Sequence, residues 1–138
     1  MRKLVLTFAL MIGIGAALAA ADKTKPSVSL RANPATGFAP TRVVLTAGLK
    51  GGANDYADFY CPSVEWSWGD DTRAESKIDC DPYEAGKSEI KRRYVIDRVF
   101  QTPGTYRVEF RVKQKDKVVG MGSTTVTVRP GLRDGGER

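Results

Sequence analysis

Histidine is absent from all 138 residues of the sequence, and cysteine occurs only twice. Histidine is the side chain that proteins use most often as a general base and as a metal ligand. Its absence therefore removes the commonest catalytic arrangement and the commonest metal site together. The sequence favours a protein that works by binding, and we expect neither enzyme activity nor a cofactor.

The sequence also lacks any apolar run long enough for a permanent membrane span, which needs about 20 residues. Its one long apolar segment is Leu4–Leu18, preceded by Arg2 and Lys3 and followed by several alanines. This is the layout of a secretory signal peptide. We predict that residues 1–21 are the signal peptide, so the mature protein is secreted or periplasmic and keeps no stable membrane span.

The excess of positive charge is small. The sequence has 22 basic and 16 acidic residues, a net charge of +6, and two of the basic residues lie in the signal peptide. This balance falls short of the basic footprint of a nucleic-acid-binding domain, so we expect no nucleic acid partner. The rest of the chain has the length of one domain, which we place at residues 22–130, with residues 131–138 as a flexible tail.

The two cysteines, Cys61 and Cys80, are predicted to form a disulfide bond. An even pair in an exported chain is more typical of a disulfide than of metal ligands or a catalytic thiol. A turn at Gly69–Asp71 would fold Ser63–Trp68 back on Ala74–Asp79. Both cysteines then lie near the open end of this hairpin, where the bond is geometrically easy.

The most apolar short stretch contains both tryptophans of the chain. Val64, Trp66 and Trp68 are spaced two residues apart, so on a β-strand their side chains point to the same face. We favour a core position over a sugar-stacking platform, because a small domain needs its largest side chains inside. Gly69 and Asp70 follow with the chemistry of a turn.

A second stretch complements the first. Pro103 and Gly104 form a turn, and apolar side chains then alternate strictly with polar ones at Tyr106, Val108, Phe110 and Val112. A tryptophan strand that faces a strand led by tyrosine is the core pairing of an immunoglobulin-like sandwich. In such a sandwich Tyr106 is a corner tyrosine, whose hydroxyl bonds to the backbone.

These two stretches resemble the polycystic kidney disease (PKD) domain family. The resemblance is carried by Trp66-Ser67-Trp68-Gly69-Asp70 and Pro103-Gly104-Thr105-Tyr106-Arg107-Val108, and it extends over about Pro26 to Val128. It implies an all-β, immunoglobulin-like antiparallel sandwich of about seven strands. The sequence departs from the family pattern at Ser67, Asp71 and Arg98-Val99-Phe100, while the aromatic and turn positions persist.

Further strands are predicted by alternation at Ser27–Ala32, Arg42–Gly48, Ser88–Phe100 and Val118–Val128. Asn33–Pro40 contains two prolines and a glycine and is predicted as a loop. Two glycines in the last strand, Gly120 and Gly122, predict a bulge or a twisted edge.

Asp70 and Asp71 are the candidates for a calcium site, since some PKD-type modules bind calcium through loop carboxylates. Calcium takes six to eight oxygen ligands, and the sequence has no regularly spaced acidic loop. Aspartate also caps its own turn through its side chain, and we favour this role for the pair.

Two groups of residues are candidates for binding. The first consists of aromatic residues in loops beside the disulfide: Tyr56, Phe59, Tyr60 and Tyr83. Their alternative role is to cover the end of the core. The second is a basic group on strands: Lys91, Arg93, Arg111 and Lys113. Its alternative role is to keep strand faces and edges soluble. We favour the aromatic group, because loops on a rigid sandwich are the usual place for binding.

We therefore predict an exported, non-catalytic module. The resemblance implies that it mediates protein–protein or protein–carbohydrate contact at or outside the cell envelope. Two alternatives stay open: a glycan-binding module that uses the loop aromatics, and a hydrolase inhibitor that projects residues 55–61.

Overall fold

The computed structural model describes Thr24–Gly131, and this range contains eight β-strands. They are β1 (Ser27–Asn33), β2 (Thr36–Phe38), β3 (Thr41–Lys50), β4 (Ser63–Ser67), β5 (Arg73–Ser76), β6 (Arg93–Phe100), β7 (Gly104–Gln114) and β8 (Lys117–Arg129). Ala57–Phe59 adds one 3-10 turn. The predicted signal peptide, and the predicted tail after Gly131, lie outside the described residues. No helix in the described range is long and apolar enough to cross a membrane.

The strands form two sheets that pack face to face. The smaller sheet has the order β1-β3-β6, and the larger has the order β2-β8-β7-β4-β5. Every pairing is antiparallel except the short one between β2 and β8. The prediction of an all-β, immunoglobulin-like sandwich is confirmed.

Strand β2 lies in a segment that we predicted as a loop. Its three residues pair in parallel with Thr127–Arg129 of β8. The flanking backbone continues the pairing, because Ala39 donates its N–H to Arg129 and Thr127 donates its N–H to Ala35. A run of three residues is too short to show alternation, so the sequence pattern could not reveal this strand.

The core between the sheets is built around the two tryptophans. The rings of Trp66 and Trp68 stack at 6.2 Å with an interplanar angle of 8°. Phe110 of β7 packs on Trp66 at 4.7 Å and on Tyr94 of β6 at 5.3 Å. Because Tyr94 belongs to the smaller sheet, this chain of rings joins both sheets. The predicted core position of Trp66 and Trp68 is confirmed.

A bulge interrupts the pairing of β7 with β8. Val112 pairs with Gly120 whereas Lys113 pairs with Val118, which leaves Val119 as the extra residue. A Cβ atom on Gly120 would lie 2.9 Å from the Phe59 ring, so a side chain there would displace the phenylalanine. The bulge predicted from the two glycines is confirmed.

The segment before β6 is not a strand, which corrects the prediction for Ser88–Arg92. Ile90 is buried, but its N–H donates to the carbonyl of Asn54, in the loop that follows β3. β6 pairs with β3 only from Arg93 onward. The alternation of Ile90 with Tyr94 therefore reflects two separate core contacts, one in the loop and one in β6, which begins at Arg93.

Candidate functional site

The disulfide joins two loops at one end of the sandwich. Cys61 and Cys80 are bonded as predicted, with their Cα atoms 6.0 Å apart. The first loop connects β3 to β4 and the second connects β5 to β6. We call residues 51–62 and 77–92 together the loop cap.

Tyrosine hydroxyls join the two halves of the loop cap. Tyr60 donates its hydroxyl to the carbonyl of Asp81 at 2.7 Å, and Tyr83 donates to the carbonyl of Asp55. The N–H of Gly86 donates to the carboxylate of Asp55 at 2.8 Å. Each bond crosses from one loop to the other, so the two loops are joined at several points although neither contains a β-strand.

The four aromatic candidates of the loop cap do not share one environment. Phe59 is fully buried, so it belongs to the core and cannot be part of a contact surface. Tyr56 packs edge-on against Phe59 at 5.1 Å, and Tyr60 packs against Tyr83 at 5.6 Å. Tyr83 is the most accessible of the four, with 37% of its surface exposed.

The segment 55–61 lies flat against the sandwich. The side-chain amide of Gln114, at the end of β7, donates to the carbonyls of Asp58 at 3.0 Å and Tyr60 at 2.8 Å. With Phe59 buried between these two residues, the segment is fixed at three consecutive positions. Residues 58–60 are therefore anchored to the end of β7, which favours a structural role for this segment over the alternative of an inhibitory loop at residues 55–61.

Ile78 adds an apolar side chain that the sequence reasoning did not single out. It lies two residues before Cys80 and is 49% exposed. The predicted strand Ala74–Asp79 would contain it, whereas β5 ends at Ser76. The sequence did contain a signal for this exposed position: an apolar residue between Lys77 and Asp79, two positions before a cysteine of the disulfide.

The acidic turn after Trp68 is a capped turn. Asp70 accepts from the backbone N–H of Thr72 at 3.1 Å and from its hydroxyl. The hydrogen bond from the Thr72 hydroxyl is the main cause that lowers the pKa of Asp70, and Arg98 lowers it further. The predicted capping role is confirmed for Asp70. Among residues 24–131, no group of three or more acidic or cysteine side chains is arranged to hold a metal ion.

Arg98 spans the gap between the two sheets. It lies on β6 of the smaller sheet, and its guanidinium donates to Asp70 at 2.9 Å, in the turn between β4 and β5. The same group lies over the Trp68 ring at 4.8 Å, a distance suited to a cation–π contact. Arg98 therefore closes the edge of the core.

The corner tyrosine also behaves as predicted. Tyr106 donates its hydroxyl to the carbonyl of Thr102, four residues earlier, and its ring packs against Phe100 at 4.8 Å. This contact fixes the turn at Pro103 and Gly104 that leads into β7.

With these features in place, the fold can be compared with known structures. It is similar to the PKD domain of an M14-like peptidase from a Thermoplasmatales archaeon, with a TM-score of 0.52 and 15% identity over 79% of this chain and 99% of that domain. The chain has the fold of a PKD domain. A CARDB domain of the PF1109 protein from Pyrococcus furiosus is also similar, with a TM-score of 0.46 and 13% identity over 78% and 96% of the two chains. No protein-family model and no curated protein matches the sequence.

In this PKD-type fold the basic candidates do not form one surface. Arg111 and Lys113 lie on β7 of the larger sheet, whereas Arg93 begins β6 of the smaller sheet and Lys91 precedes it. The candidate surface of these four basic residues, which we did not favour, is therefore excluded as a single contact surface. Strands β6 and β7 are consecutive in sequence, but the turn between them passes from one sheet to the other.

A buried carboxylate pairs with both basic candidates of β7, Arg111 and Lys113. Glu65 of β4 is only 6% exposed, although it lies on the outer face of the larger sheet. It accepts from Arg111 at 2.9 Å and from Lys113 at 3.2 Å. Burial by itself raises the pKa of Glu65, but the bonds from Lys113 and Arg111 outweigh it, and the pKa is lowered.

This ion cluster gives the protein a testable pH dependence. A carboxyl group with a lowered folded-state pKa contributes stability above its unfolded pKa, about 4.3, and loses it as the pH falls through the folded pKa. We expect Glu65→Gln to lower the free energy of unfolding at pH 7 by about 1.5–3 kcal/mol, the range for hydrogen bonds to a charged group.

Urea unfolding at pH 7 and at pH 3 measures the effect. The difference between the parent and Glu65→Gln should shrink at the lower pH, because below its ordinary pKa the carboxyl of Glu65 takes up a proton more readily in the unfolded chain than in the folded one. Asp70 titrates in both proteins and cancels from the comparison. A difference that stays constant with pH would show that the charge of Glu65 does not stabilise the fold.

Proposed function

We propose that this chain is an exported, non-catalytic binding module that contacts a partner protein through the loop cap. One observation carries the proposal. The disulfide and the tyrosine bonds hold two irregular loops rigid, while Ile78 and Tyr83 stay exposed on them. A preorganised surface loses little conformational freedom on binding, so its exposed apolar area contributes more fully to affinity.

Export is supported by two independent features. Residues 1–21 have the layout of a signal peptide, and the chain carries a disulfide, a bond that persists in oxidising compartments. A role without catalysis is supported by the absence of histidine from the whole sequence and by the bonding of both cysteines to each other. The similarity to a PKD domain fits an interaction module at or outside the cell envelope.

The contacts of the tyrosines favour a protein over a glycan as the partner. Sugar binding by stacking needs an open aromatic face. Here the rings of Tyr60 and Tyr83 pack on each other, and Tyr56 packs on Phe59. The hydroxyls of Tyr60 and Tyr83 are already bonded to backbone carbonyls. What remains exposed is part of Tyr83 and, five residues earlier in the same loop, the side chain of Ile78; exposed apolar side chains of this kind suit a protein surface.

The test compares two serine double variants that lose similar exposed apolar area. Ile78→Ser/Tyr83→Ser alters the loop cap, and Val118→Ser/Met121→Ser alters β8, where both side chains are also exposed. The protein is immobilised with its disulfide intact and incubated with the envelope fraction of the native host and, in parallel, with a glycan array. We expect specific capture of one or a few proteins, lost in the loop-cap variant and kept in the β8 variant.

Other results would contradict this proposal. Equal capture by the two double variants would exclude the loop cap as the contact surface. Binding to a glycan that is lost only in the loop-cap variant would show that the partner of the loop cap is a glycan and not a protein. Thermal unfolding of each variant, followed by circular dichroism, confirms that it is folded before its binding is compared.

A further inference from the structure

A groove runs along the outer face of the smaller sheet, and neither Ile78 nor Tyr83 of the loop cap lines it. It has a volume of about 530 Å³ and is lined by residues of all three strands. Gly48 lies on the central strand β3, and because it has no side chain it forms a recess in the floor of the groove. Ser29 on β1 and Arg93 on β6 are its register partners on either side. Along β3 the groove extends from Val44 to Lys50, about 20 Å for a strand.

The lining of this groove carries positive charge and no negative charge. Four of its residues are cations, Arg31, Lys50, Arg92 and Arg93, and none of its lining residues is acidic. Within residues 24–131, Arg31, Lys50 and Arg93 have no carboxylate partner. Asp97 is the one carboxylate on the outer face of these strands, and Arg42 pairs with it at 2.6 Å.

Arg92 is held in position by neutral acceptors. Its guanidinium donates to the carbonyl of Gly51 at 2.7 Å, to that of Leu49 at 3.2 Å and to the side chain of Asn54 at 2.6 Å. None of these groups carries a formal charge, so the positive charge of Arg92 is fixed in place and remains uncompensated. With a further bond to the carbonyl of Gly52 at 3.5 Å, four of its five N–H donors are in use, so Arg92 contributes fixed positive charge to the groove and not a paired-donor contact.

Four cations of the larger sheet, by contrast, are paired with carboxylates. On its outer face Arg73, Arg107, Arg111 and Lys113 each lie within 4 Å of a glutamate carboxylate. The outer face of the larger sheet is therefore kept soluble by cations that are paired with glutamates. Protection of the sheet edges explains why β1 or β6 carries a cation. It does not explain why Gly48 lies at the bottom of the groove or why hydrogen bonds hold Arg92 in position. The smaller sheet has the character of a binding surface.

We propose that this groove binds an acidic polysaccharide, one that carries carboxylate, sulfate or phosphate groups. Guanidinium groups recognise all three anions through paired N–H donors. The side chains of Ser29, Asn33 and Thr46 line the same groove and offer hydroxyl and amide partners for sugar hydroxyls. No aromatic residue lines the groove, so it lacks the stacking platform that single-stranded nucleic acid uses. A flat bilayer surface could not reach the recessed floor at Gly48.

Three variants test the proposal. Arg31→Glu/Arg93→Glu reverses two charges in the groove. Arg73→Glu/Arg107→Glu is the matched control, because it makes the same change of net charge on the larger sheet. Gly48→Val fills the floor without a change of charge; its Cβ would lie 3.3 Å from the Ser29 hydroxyl, which can rotate away, and valine suits a strand.

The probes are heparin for sulfate, polygalacturonate for carboxylate and a teichoic acid for phosphate. Neutral dextran, poly-glutamate and single-stranded DNA are measured beside them by calorimetric titration at about 50 mM and about 300 mM salt. We expect the parent to bind at least one acidic polysaccharide, more weakly at the higher salt, and not dextran. Affinity should fall on the order of tenfold or more in the groove reversal, change about twofold or less in the control, and fall in Gly48→Val.

The proposal is overturned by any of four results. These are no binding of any acidic polysaccharide, equal losses in the two double reversals, undiminished binding by Gly48→Val, and tighter binding of poly-glutamate or DNA than of every polysaccharide. Since the groove variants leave Ile78 and Tyr83 unchanged, failure here is distinguishable from failure of the loop-cap proposal. Thermal unfolding verifies the fold of each variant, and either groove variant alone decides the outcome if the other does not fold.

Discussion

Replacement of Trp66 by alanine should lower the free energy of unfolding by about 3–5 kcal/mol, the range for removing a large aromatic side chain from a core. Trp66 is only 3% exposed, stacks on Trp68 and packs against Phe110. Natural domains have a total stability of about 5–15 kcal/mol, so this single change should bring the domain close to unfolding. Urea unfolding at 25 °C, followed by tryptophan fluorescence and circular dichroism, measures the loss.

Tyr83→Ala is the control for the Trp66 prediction. It also removes an aromatic ring, but from a side chain that is 37% exposed in the loop cap and outside the core. Its cost should be clearly smaller than that of Trp66→Ala. Equal stability of Trp66→Ala and the parent protein would contradict the assignment of the tryptophan strand to the core, and with it the fold.

Loss of the disulfide should have the second largest effect. Cys61 and Cys80 are separated by 19 positions, and closing a loop of this size stabilises a protein by about 3 kcal/mol in the chain-entropy description. We expect Cys61→Ser/Cys80→Ser to lower the free energy of unfolding by about this amount. The comparison is made by urea unfolding of the parent and the double variant, each with and without a thiol reductant.

The reductant supplies the control for the disulfide prediction. It should destabilise the parent to nearly the level of the double variant and leave the double variant unchanged. Hydrogen exchange should at the same time become faster in residues 77–88, because the bond holds the second loop to the first. A parent that keeps its full stability in the reductant, with the bond shown to be open by mass spectrometry, would contradict the stabilising role.

The sequence predicted the features that depend on short-range pattern. The spacing of Val64, Trp66 and Trp68 placed the tryptophan strand in the core, and Pro103-Gly104 placed the turn before Tyr106. Gly120 and Gly122 indicated the bulge in β8. Each of these signals is contained in a few consecutive residues, where strand alternation and turn chemistry determine the local structure.

The features that the sequence did not reveal depend on contacts between distant strands. Phe59 is buried because β8 leaves room for it at Gly120, and nothing near Phe59 in the sequence shows this. The groove has the same origin, since Ser29, Gly48 and Arg93 become neighbours only through the register of three strands. The groove therefore forms only when the chain folds, and none of its residues is distinctive in the sequence alone.

The two proposed surfaces share one structural support. Arg92 lines the groove, and its guanidinium is bonded to residues 51–54 of the loop cap. A change in the position of that loop would therefore move a cation of the groove. If a protein partner binds at Ile78 and Tyr83 of the loop cap and a polysaccharide occupies the groove, the two ligands would affect one another through this contact.

The central claim, that the loop cap is a surface for a protein partner, is tested most directly by photo-crosslinking in the native host. A photoreactive phenylalanine analogue replaces Tyr83 in one strain and Met121, an exposed residue of the larger sheet, in another. After irradiation we expect one or a few discrete protein adducts from position 83 and none of the same mass from position 121. No adduct at position 83, or an identical pattern from both positions, would contradict the claim.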